Sequence, residues 1–173
     1  MHINPYGEYA VKLGIDLLNS PPTSATELGN RCVDAGLVPD WTATDADLLD
    51  TLEFLRDWAR VVDATTENDR ADELNALLAQ ASAYPRLTNH ADDGWHMHYR
   101  DPNIELGGVI RALVSVGTAL HLTGRGMSRL DRCAAADCTL AFADTSRTGR
   151  QRYCGTACSN RDAVRRHRAR AAS

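Results

Sequence analysis

The sequence predicts a mainly α-helical protein with a small β component (α+β), in which a helical N-terminal part precedes a cysteine-rich C-terminal part. Three observations predict this class. Apolar residues recur at helical spacing over most of the first 124 residues, one stretch near residue 90 alternates as a strand does, and four of the five cysteines fall after residue 132. At 173 residues, the chain has room for one ordinary domain or for a domain carrying a small module.

Four segments of the first half have the apolar periodicity of core helices. They are residues 6–19, 24–36, 44–62 and 69–82. The second segment opens on Ser-Ala-Thr-Glu, a capping box in which a serine and a glutamate satisfy the free amides of a helix start. Cys32 falls on the apolar face of this helix, so we interpret it as a small core residue.

A β-hairpin is predicted after Pro85. Residues 86–90 and 95–100 alternate, and the turn between them contains Asp-Gly. The alternation sets an apolar face of Trp95, Met97 and Tyr99 against a face that carries histidines. Two histidines at i and i+2 can bind a metal ion, but no third ligand of known proximity completes a site, so we expect that face to point to solvent. The histidines whose role stays open are His90, His96 and His98.

A long helix is predicted over residues 103–123, where helical spacing returns and a glycine follows at 124. Its apolar content indicates the central buried helix. The longest uncharged run, residues 112–124, has 13 residues, against the ~18 that a membrane span requires. We therefore expect no membrane partner.

Composition changes at residues 124–126, which predicts a division into residues 1–124 and residues 125–173. The first part holds 8 Lys and Arg against 19 Asp and Glu, a net charge of −11. The second holds 11 Arg against 4 Asp, a net charge of +7, and the two together give the −4 of the whole chain. A basic end on an acidic body indicates a polyanionic partner, with nucleic acid first, although docking of that end on its own body would also fit.

The four C-terminal cysteines follow the pattern C-x4-C-x15-C-x3-C, formed by Cys133, Cys138, Cys154 and Cys158. Two close pairs joined by a short connection suit one tetrahedral, structural Zn²⁺ ion. Short-loop disulfides or unrelated thiols are the alternatives, but the chain start has no secretory pattern and we expect a reducing cytoplasm. Few large apolar residues follow residue 124, so a metal would supply folding free energy to this part.

The cysteines are expected to frame a hairpin and a helix. Residues 139–144 and 151–153 predict two strands, with Phe142 and Tyr153 able to pack over the metal. The run 159–171 lacks glycine and proline and predicts a helix, with Ser159 as its cap. Arginines populate both elements, and guanidinium groups bind phosphates and guanine edges. The candidate DNA-binding residues are Arg147, Arg150, Arg152, Asn160, Arg161, Arg165, Arg166, Arg168 and Arg170.

The order of these features resembles the CGNR zinc finger, which is named for its last cysteine and the Gly-Asn-Arg after it. The resemblance rests on the two cysteine pairs, the Asp-x-Ser-Arg ending at Arg147, and the Arg-Arg-His-Arg run of the last helix. It implies that the four cysteines are the zinc ligands and that Asn160 and the arginines from Arg161 to Arg168 form the signature helix. Ser159 stands in place of the signature glycine. Because serine suits a helix start, we do not expect this departure to prevent zinc binding.

The front of the chain is similar to the ABATE domain, which precedes this finger in bacterial proteins assigned to stress-induced transcriptional regulation. The similarity lies in Leu-Gly-Ile-Asp-Leu-Leu-Asn-Ser-Pro at residues 13–21. It implies a sensing or regulatory role without naming a ligand. Asp16 and Asn19 could line a pocket, although Asn19 could equally cap a helix.

We therefore expect a cytoplasmic, zinc-containing DNA-binding transcriptional regulator whose basic helix contacts DNA. The helical part would sense an unidentified effector or form a homo-oligomer. Phosphate-loop, nucleophile-elbow and His-Glu-x-x-His patterns do not occur, so we do not expect an enzyme. The alternative is a protein-interaction module whose arginine helix docks on an acidic partner. RNA is a third option, for which no specific signal is found.

Overall fold

The computed structural model describes residues 7–37, 42–89 and 95–171. Across these residues, six helices and two two-stranded antiparallel sheets form a mainly α fold, which confirms the predicted class. In chain order the elements are α1 (Glu8–Asn19), α2 (Ala25–Asp34), α3 (Asp45–Asp63), α4 (Glu67–Ala81), β1 (Arg86–Thr88), β2 (His96–His98), α5 (Leu106–Arg125), β3 (Leu130–Arg132), β4 (Ala141–Ala143) and α6 (Thr156–Ala171). We call α1 to α5 with β1 and β2 the helical body, and residues 126–171 the finger.

Hydroxyl caps decide where three helices of the body begin. Ser24, Thr44 and Thr66 each accept a hydrogen bond from the backbone amide three residues later, at 3.2, 3.2 and 3.1 Å. Thr44 and Asp47 form a complete capping box. The sequence placed the start of α4 at Asp69, and this was late because Thr66 is the residue that satisfies the free amides.

Helix α5 is the centre of the body and packs against α1, α3 and α4. Gly117 allows the close approach of α1, since a Cβ there would lie 2.3 Å from the Cβ of Ala10. Trp58 of α3 is fully buried and donates its indole N–H to Thr118 of α5 at 3.1 Å. The helix ends at Arg125, followed by Gly126 with φ of 120°, so the predicted end near residue 124 was slightly early.

Its length and composition also make α5 the one candidate membrane span in the described part of the chain. The sequence expectation, which counted uncharged runs only, missed this because Arg111 interrupts the run. In the structure, 67% of the apolar window is buried inside the protein, as in the core helix of a globular fold. Packing against neighbouring helices therefore accounts for its apolar character.

The β1–β2 hairpin forms as predicted, with Leu87 paired to Met97, but its faces are reversed. Trp95 is 73% exposed, and Leu87 and Met97 are also exposed. His96 and His98 are half-buried, with their Nε2 atoms 3.2 Å apart. Among the described residues, no helix packs broadly on this hairpin. The alternation of side chains therefore showed that the hairpin has two different faces, but not which of them is the more buried. His90 and the predicted turn lie outside the described residues.

The finger hairpin pairs β3 with β4, bringing Leu130 opposite Ala143. The prediction that residues 151–153 form the second strand was wrong. The chain reverses direction between Cys133 and Cys138, so β4 pairs with the preceding strand, β3, and not with residues 151–153. Leu130 and Ala141 belong to the same apolar core as the helices. The predicted division into residues 1–124 and 125–173 stays a prediction, while the hairpin's packing joins the two stretches physically.

Two polar contacts strengthen this junction. The side-chain amide of Asn19, at the end of α1, donates to the carbonyl of Ala141 at 2.9 Å and accepts from its amide at 2.7 Å. Arg132 of β3 forms an ion pair with Asp63 of α3 at 2.7 Å. Asn19 is thus a clamp on the finger hairpin. The sequence had offered only a pocket residue or a helix cap.

A buried arginine closes the end of α3, which the sequence did not indicate. Arg70, 8% exposed, donates hydrogen bonds to carbonyls of four residues. These are Val61, Val62, Ala64 and Met127. The side chain therefore satisfies the free carbonyls of one helix end and holds the start of the finger against the body.

Candidate metal centre and basic helix

Each cysteine of the C-terminal set is held by a different piece of local structure. Cys133 follows β3 directly, and its amide donates to the carbonyl of Leu140 at 2.8 Å across the hairpin. Cys138 ends a tight turn, in which its amide donates to the carbonyl of Ala135 at 3.0 Å. Cys154 lies in the loop before α6, and Cys158 is in the first turn of that helix. The fold therefore brings sulfur atoms from four sites toward one point.

The sulfur geometry fits a tetrahedral metal ion. All four Sγ atoms lie within 4.8 Å of one another, with 3.7 Å from Cys138 to Cys154 and 3.6 Å from Cys154 to Cys158. A tetrahedron with zinc–sulfur distances of about 2.3 Å has edges of roughly 3.8 Å. A disulfide would need about 2.05 Å, and all five cysteines are free thiols. The cysteines hold one structural Zn²⁺, because four thiolates leave no open coordination position.

The electrostatics of the thiols also favour a cation. At Cys133, burial opposes ionisation, but amide donors from Ala135 and Cys154 prevail and lower its pKa to about 7. At Cys154, burial and hydrogen bonds with neighbouring sulfurs raise the pKa to about 12. Four adjacent thiolates would repel one another, so a divalent ion is the natural way to ionise the whole set.

Tyr153 links the metal centre to α6. It packs against the buried cluster of Cys133, Ala135 and Cys158, as the sequence predicted. Its hydroxyl donates to Asp162 of α6 at 2.6 Å. Phe142 is buried in β4 but is not part of that cluster in the described residues, so the prediction that it covers the metal is not met.

Asp144 organises the loop that precedes Cys154. The residue is 2% exposed and accepts from the amides of Ser146 and Gln151 at 2.9 and 3.0 Å. Burial alone would raise its pKa, but the Ser146 side chain, these two amides and the guanidinium of Arg129, 3.5 Å away, lower it. Gly149 has φ of 67°, and any Cβ there would lie 2.6 Å from the Arg129 guanidinium. The loop thus has a fixed shape around a buried carboxylate.

Helix α6 presents one buried face and several exposed ones. Cys158 and Asp162 are its buried residues. Asp162 accepts from Arg165 at 2.6 Å and pairs with Arg166 at 3.1 Å, which orients two arginines along the helix. The helix begins at Thr156, three residues before the predicted cap, so Ser159 lies inside the helix in an ordinary helical position. The departure from the signature glycine therefore leaves the helix intact.

The other predicted DNA-binding residues lie on the exposed surface of the finger. Arg161 pairs with Asp137 at 2.9 Å, and both side chains are exposed. Arg152 lies over the ring of Tyr153, 6.0 Å from its centroid. Within the described residues, no ion pair is found for Arg168 or Arg170. We call the full set the basic surface: Arg147, Arg150, Arg152, Asn160, Arg161, Arg165, Arg166, Arg168 and Arg170.

Family models match almost the whole chain. The model described as "CGNR zinc finger" matches residues 129–171. The ABATE model, described as "Putative stress-induced transcription regulator", matches residues 12–132. The chain belongs to the ABATE family. No curated protein matches it in a sequence search.

This ABATE protein therefore carries a CGNR zinc finger at its C-terminal end, and both resemblances seen in the sequence are confirmed. The family and the four-cysteine cluster make it a zinc-binding protein of a regulator family. The family description points to regulation of transcription and not to catalysis. Cys32, by contrast, lies in the core of the body, where burial raises its pKa to about 11, as suits an inert core residue.

Proposed function

We propose that this ABATE protein is a DNA-binding transcriptional regulator and that its basic surface contacts the DNA. The observation that carries the proposal is α6 itself: a helix tied to the zinc cluster through Cys158, with its arginines on the exposed side. Several guanidinium groups on one rigid helix can meet several phosphates at once. Because the helix backbone is already ordered, binding would have to order only the arginine side chains.

Charge supports nucleic acid as the partner. Four thiolates and one Zn²⁺ lower the net charge of residues 125–173 from +7 to +5, which is still basic. The first 124 residues carry −11, so DNA phosphates would be attracted to the finger and repelled from the body. The ion pair between Arg161 and Asp137 is exposed on both sides, and exposed pairs exchange partners at low cost.

For the rest of the chain, we propose that residues 1–124 form a sensing or oligomerisation part and residues 125–173 the DNA-binding part. The effector would be a small molecule of unidentified class, and the protein would act in the cytoplasm. Apart from the family description, support for this division comes from the opposite charges of the two stretches.

The test is a titration of fluorescent duplex DNA with the zinc-loaded full-length protein at several salt concentrations. We expect log affinity to fall with log salt by about 0.9 for each phosphate neutralised. Arg165→Ala with Arg168→Ala should weaken binding and reduce that slope. The charge-matched control is Arg56→Ala with Arg60→Ala, two exposed arginines of α3, and it should leave the slope unchanged. Binding that ignores both salt and the α6 variants would refute the proposal.

A second candidate function is docking of α6 on an acidic protein. The observation that favours it is that Arg161, Arg165 and Arg166 already bind carboxylates in this structure. Nucleic acid retained by the protein after purification at low salt supports DNA binding. Its absence, together with capture of an acidic protein that Arg165→Ala abolishes, supports docking. Competition by single-stranded or duplex RNA would reveal the third option.

A further inference from the structure

The outermost row of α6 is free of arginine. Asn160, Val164 and His167 follow at i, i+4 and i+7 and therefore share one side of the helix. At 3.6 residues per turn, this row lies opposite Cys158 and Asp162, the two buried residues. All three side chains are exposed. With histidine counted as neutral, as in the net charges above, this row carries no formal charge.

Arginines flank this neutral row on both sides. Arg161, Arg165 and Arg168 form one flank at i, i+4 and i+7. Arg166 and Arg170 form the other at i and i+4. In cross-section, the helix is neutral in the middle and positive at both edges.

The major groove of B-DNA has the complementary cross-section. Its floor carries the base edges, its two walls are phosphate backbones, and its width of about 12 Å admits one α-helix. A helix that only neutralised phosphates would gain from arginine at every outward position. The neutral row would instead lie against base edges while each arginine flank meets one strand's phosphates.

The rotation of α6 about its own axis is fixed from two points. Cys158 binds into the metal cluster, and one turn later Asp162 accepts from Tyr153 at 2.6 Å. Reading bases requires side chains held in one orientation, whereas phosphate attraction does not. These two anchors aim the neutral row away from the finger.

Val164 is the most informative member of the row. It is 51% exposed and lines a shallow surface groove with Asn160 and arginines 161, 165 and 168. An exposed apolar side chain at this position matches the thymine methyl group, the apolar feature of the major groove. Asn160 has a carboxamide, which can form two hydrogen bonds with the major-groove edge of adenine. Asn160 and Val164 are four residues apart, which is a rise of about 6 Å along the helix, or roughly two base-pair steps.

We infer that α6 is a sequence-reading helix that lies in the major groove of duplex DNA, with Asn160, Val164 and His167 toward base edges and the two arginine flanks toward phosphates. The inference rests on the proposed function and adds base-specific recognition to it. Double-stranded RNA is excluded as an equivalent target, since its deep, narrow major groove does not admit a helix.

The experiment selects from duplexes with a randomised centre, using zinc-loaded full-length protein. Wild-type protein should enrich a sequence containing two A·T pairs about two base-pair steps apart. Val164→Ala and Asn160→Ala should each alter the base preference at one or two positions while the salt slope stays the same. Arg168→Ala and Arg170→Ala are the matched comparison, since they should each lower the slope by about 0.9 and keep the preferred sequence.

A second measurement isolates the methyl contact. Replacing thymine by uracil in the selected duplex should weaken wild-type binding about fourfold, the value of one buried methyl group, and should leave Val164→Ala unaffected. Zinc content and circular dichroism confirm that each variant is folded. Salt-dependent binding without any base preference, or a preference that both row variants retain, overturns the inference and leaves the proposed function standing. Absence of salt-dependent duplex binding overturns both.

Discussion

The helical body and the finger are held together by different forces. The body buries large side chains in one core, and Trp58, Phe54 and Ile110 are fully inaccessible. Away from its hairpin, the described part of the finger has a cluster of only cysteines, one alanine and Tyr153. Burial of apolar surface therefore suffices for the body, whereas the cysteine cluster must take its stability from the metal.

The part of the chain stabilised by the apolar core and the part stabilised by the metal meet within the finger. We call this meeting point the boundary. Its hairpin belongs to the core of the body through Leu130 and Ala141. The residues next to Cys154 and the whole of α6 depend on the cysteines and on Tyr153, whereas the loop from Asp144 to Gln151 is held by Asp144 and Arg129. Because the arginines of α6 lie on this metal-dependent portion, metal binding can govern the proposed DNA contact without unfolding the body.

Loss of the metal should have the largest effect and tests the boundary directly. Structural zinc contributes about 10–16 kcal/mol in small finger modules, far more than the packing around Tyr153 can supply. With Cys154→Ser or a strong chelator, we expect α6 to lose amide protection while α1, α3 and α5 keep theirs. Hydrogen exchange with mass spectrometry measures this.

The control for that experiment is Cys32→Ala, which removes a thiol from the core of the body. It should retain one zinc per chain and lower the stability of the body by a small amount. Cooperative unfolding of the whole chain on zinc removal would contradict the boundary. So would undiminished protection of α6.

An intermediate effect is expected at Asn19, where the body holds the hairpin. Asn19→Ala removes two hydrogen bonds and leaves the amide and carbonyl of Ala141 unpaired, at a cost of about 1–3 kcal/mol. The exchange rate of the Ala141 amide should rise by about 10- to 100-fold, with zinc content unchanged. Asn75→Ala, on the exposed side of α4, should leave that rate as it is. If the exchange rate of the Ala141 amide were unchanged in Asn19→Ala, core packing alone would fix the position of the hairpin.

Local signals predicted the helices and the metal set. Hydroxyl residues such as Ser24 and Thr44 cap the helix starts that they indicated, because capping involves neighbours three residues apart. The cysteine spacing identified all four ligands, since zinc restricts both the residue type and the distances. These features depend on short stretches that can be evaluated without the rest of the fold.

Contacts between distant residues could not be predicted in the same way. Residues 139–144 alternate, but whether they pair with 130–132 or 151–153 depends on which partner fits the core of the body. Asn19 and Ala141 are 122 positions apart, and nothing local distinguishes a clamp from a helix cap. The reversed faces of β1–β2 follow the same rule, because coverage by other elements decides which face of a strand is buried.

The smallest effect is expected at His121, where the body meets the start of the finger. The ring is fully buried, its Nε2 lies 3.4 Å from the carbonyl of Arg129, and its Nδ1 has no hydrogen-bond partner among the described residues. Burial, with smaller contributions from the charges of Arg125 and Arg129, lowers the pKa of His121 below its usual 6.5, although the hydrogen bond with the Arg129 carbonyl and the charge of Glu8 oppose this shift. The folded state therefore holds the neutral ring where the unfolded chain takes up a proton.

Stability from this neutral ring is present above pH 6.5 and is lost as the pH falls below it, by at most about 1.4 kcal/mol per pH unit for one proton. His121→Phe should flatten the fall in unfolding free energy between about pH 6.5 and 5.5, measured by urea titration against wild type, since zinc-linked protonation is common to both. An equal fall in His121→Phe would show that His121 does not cause the loss of stability between these pH values.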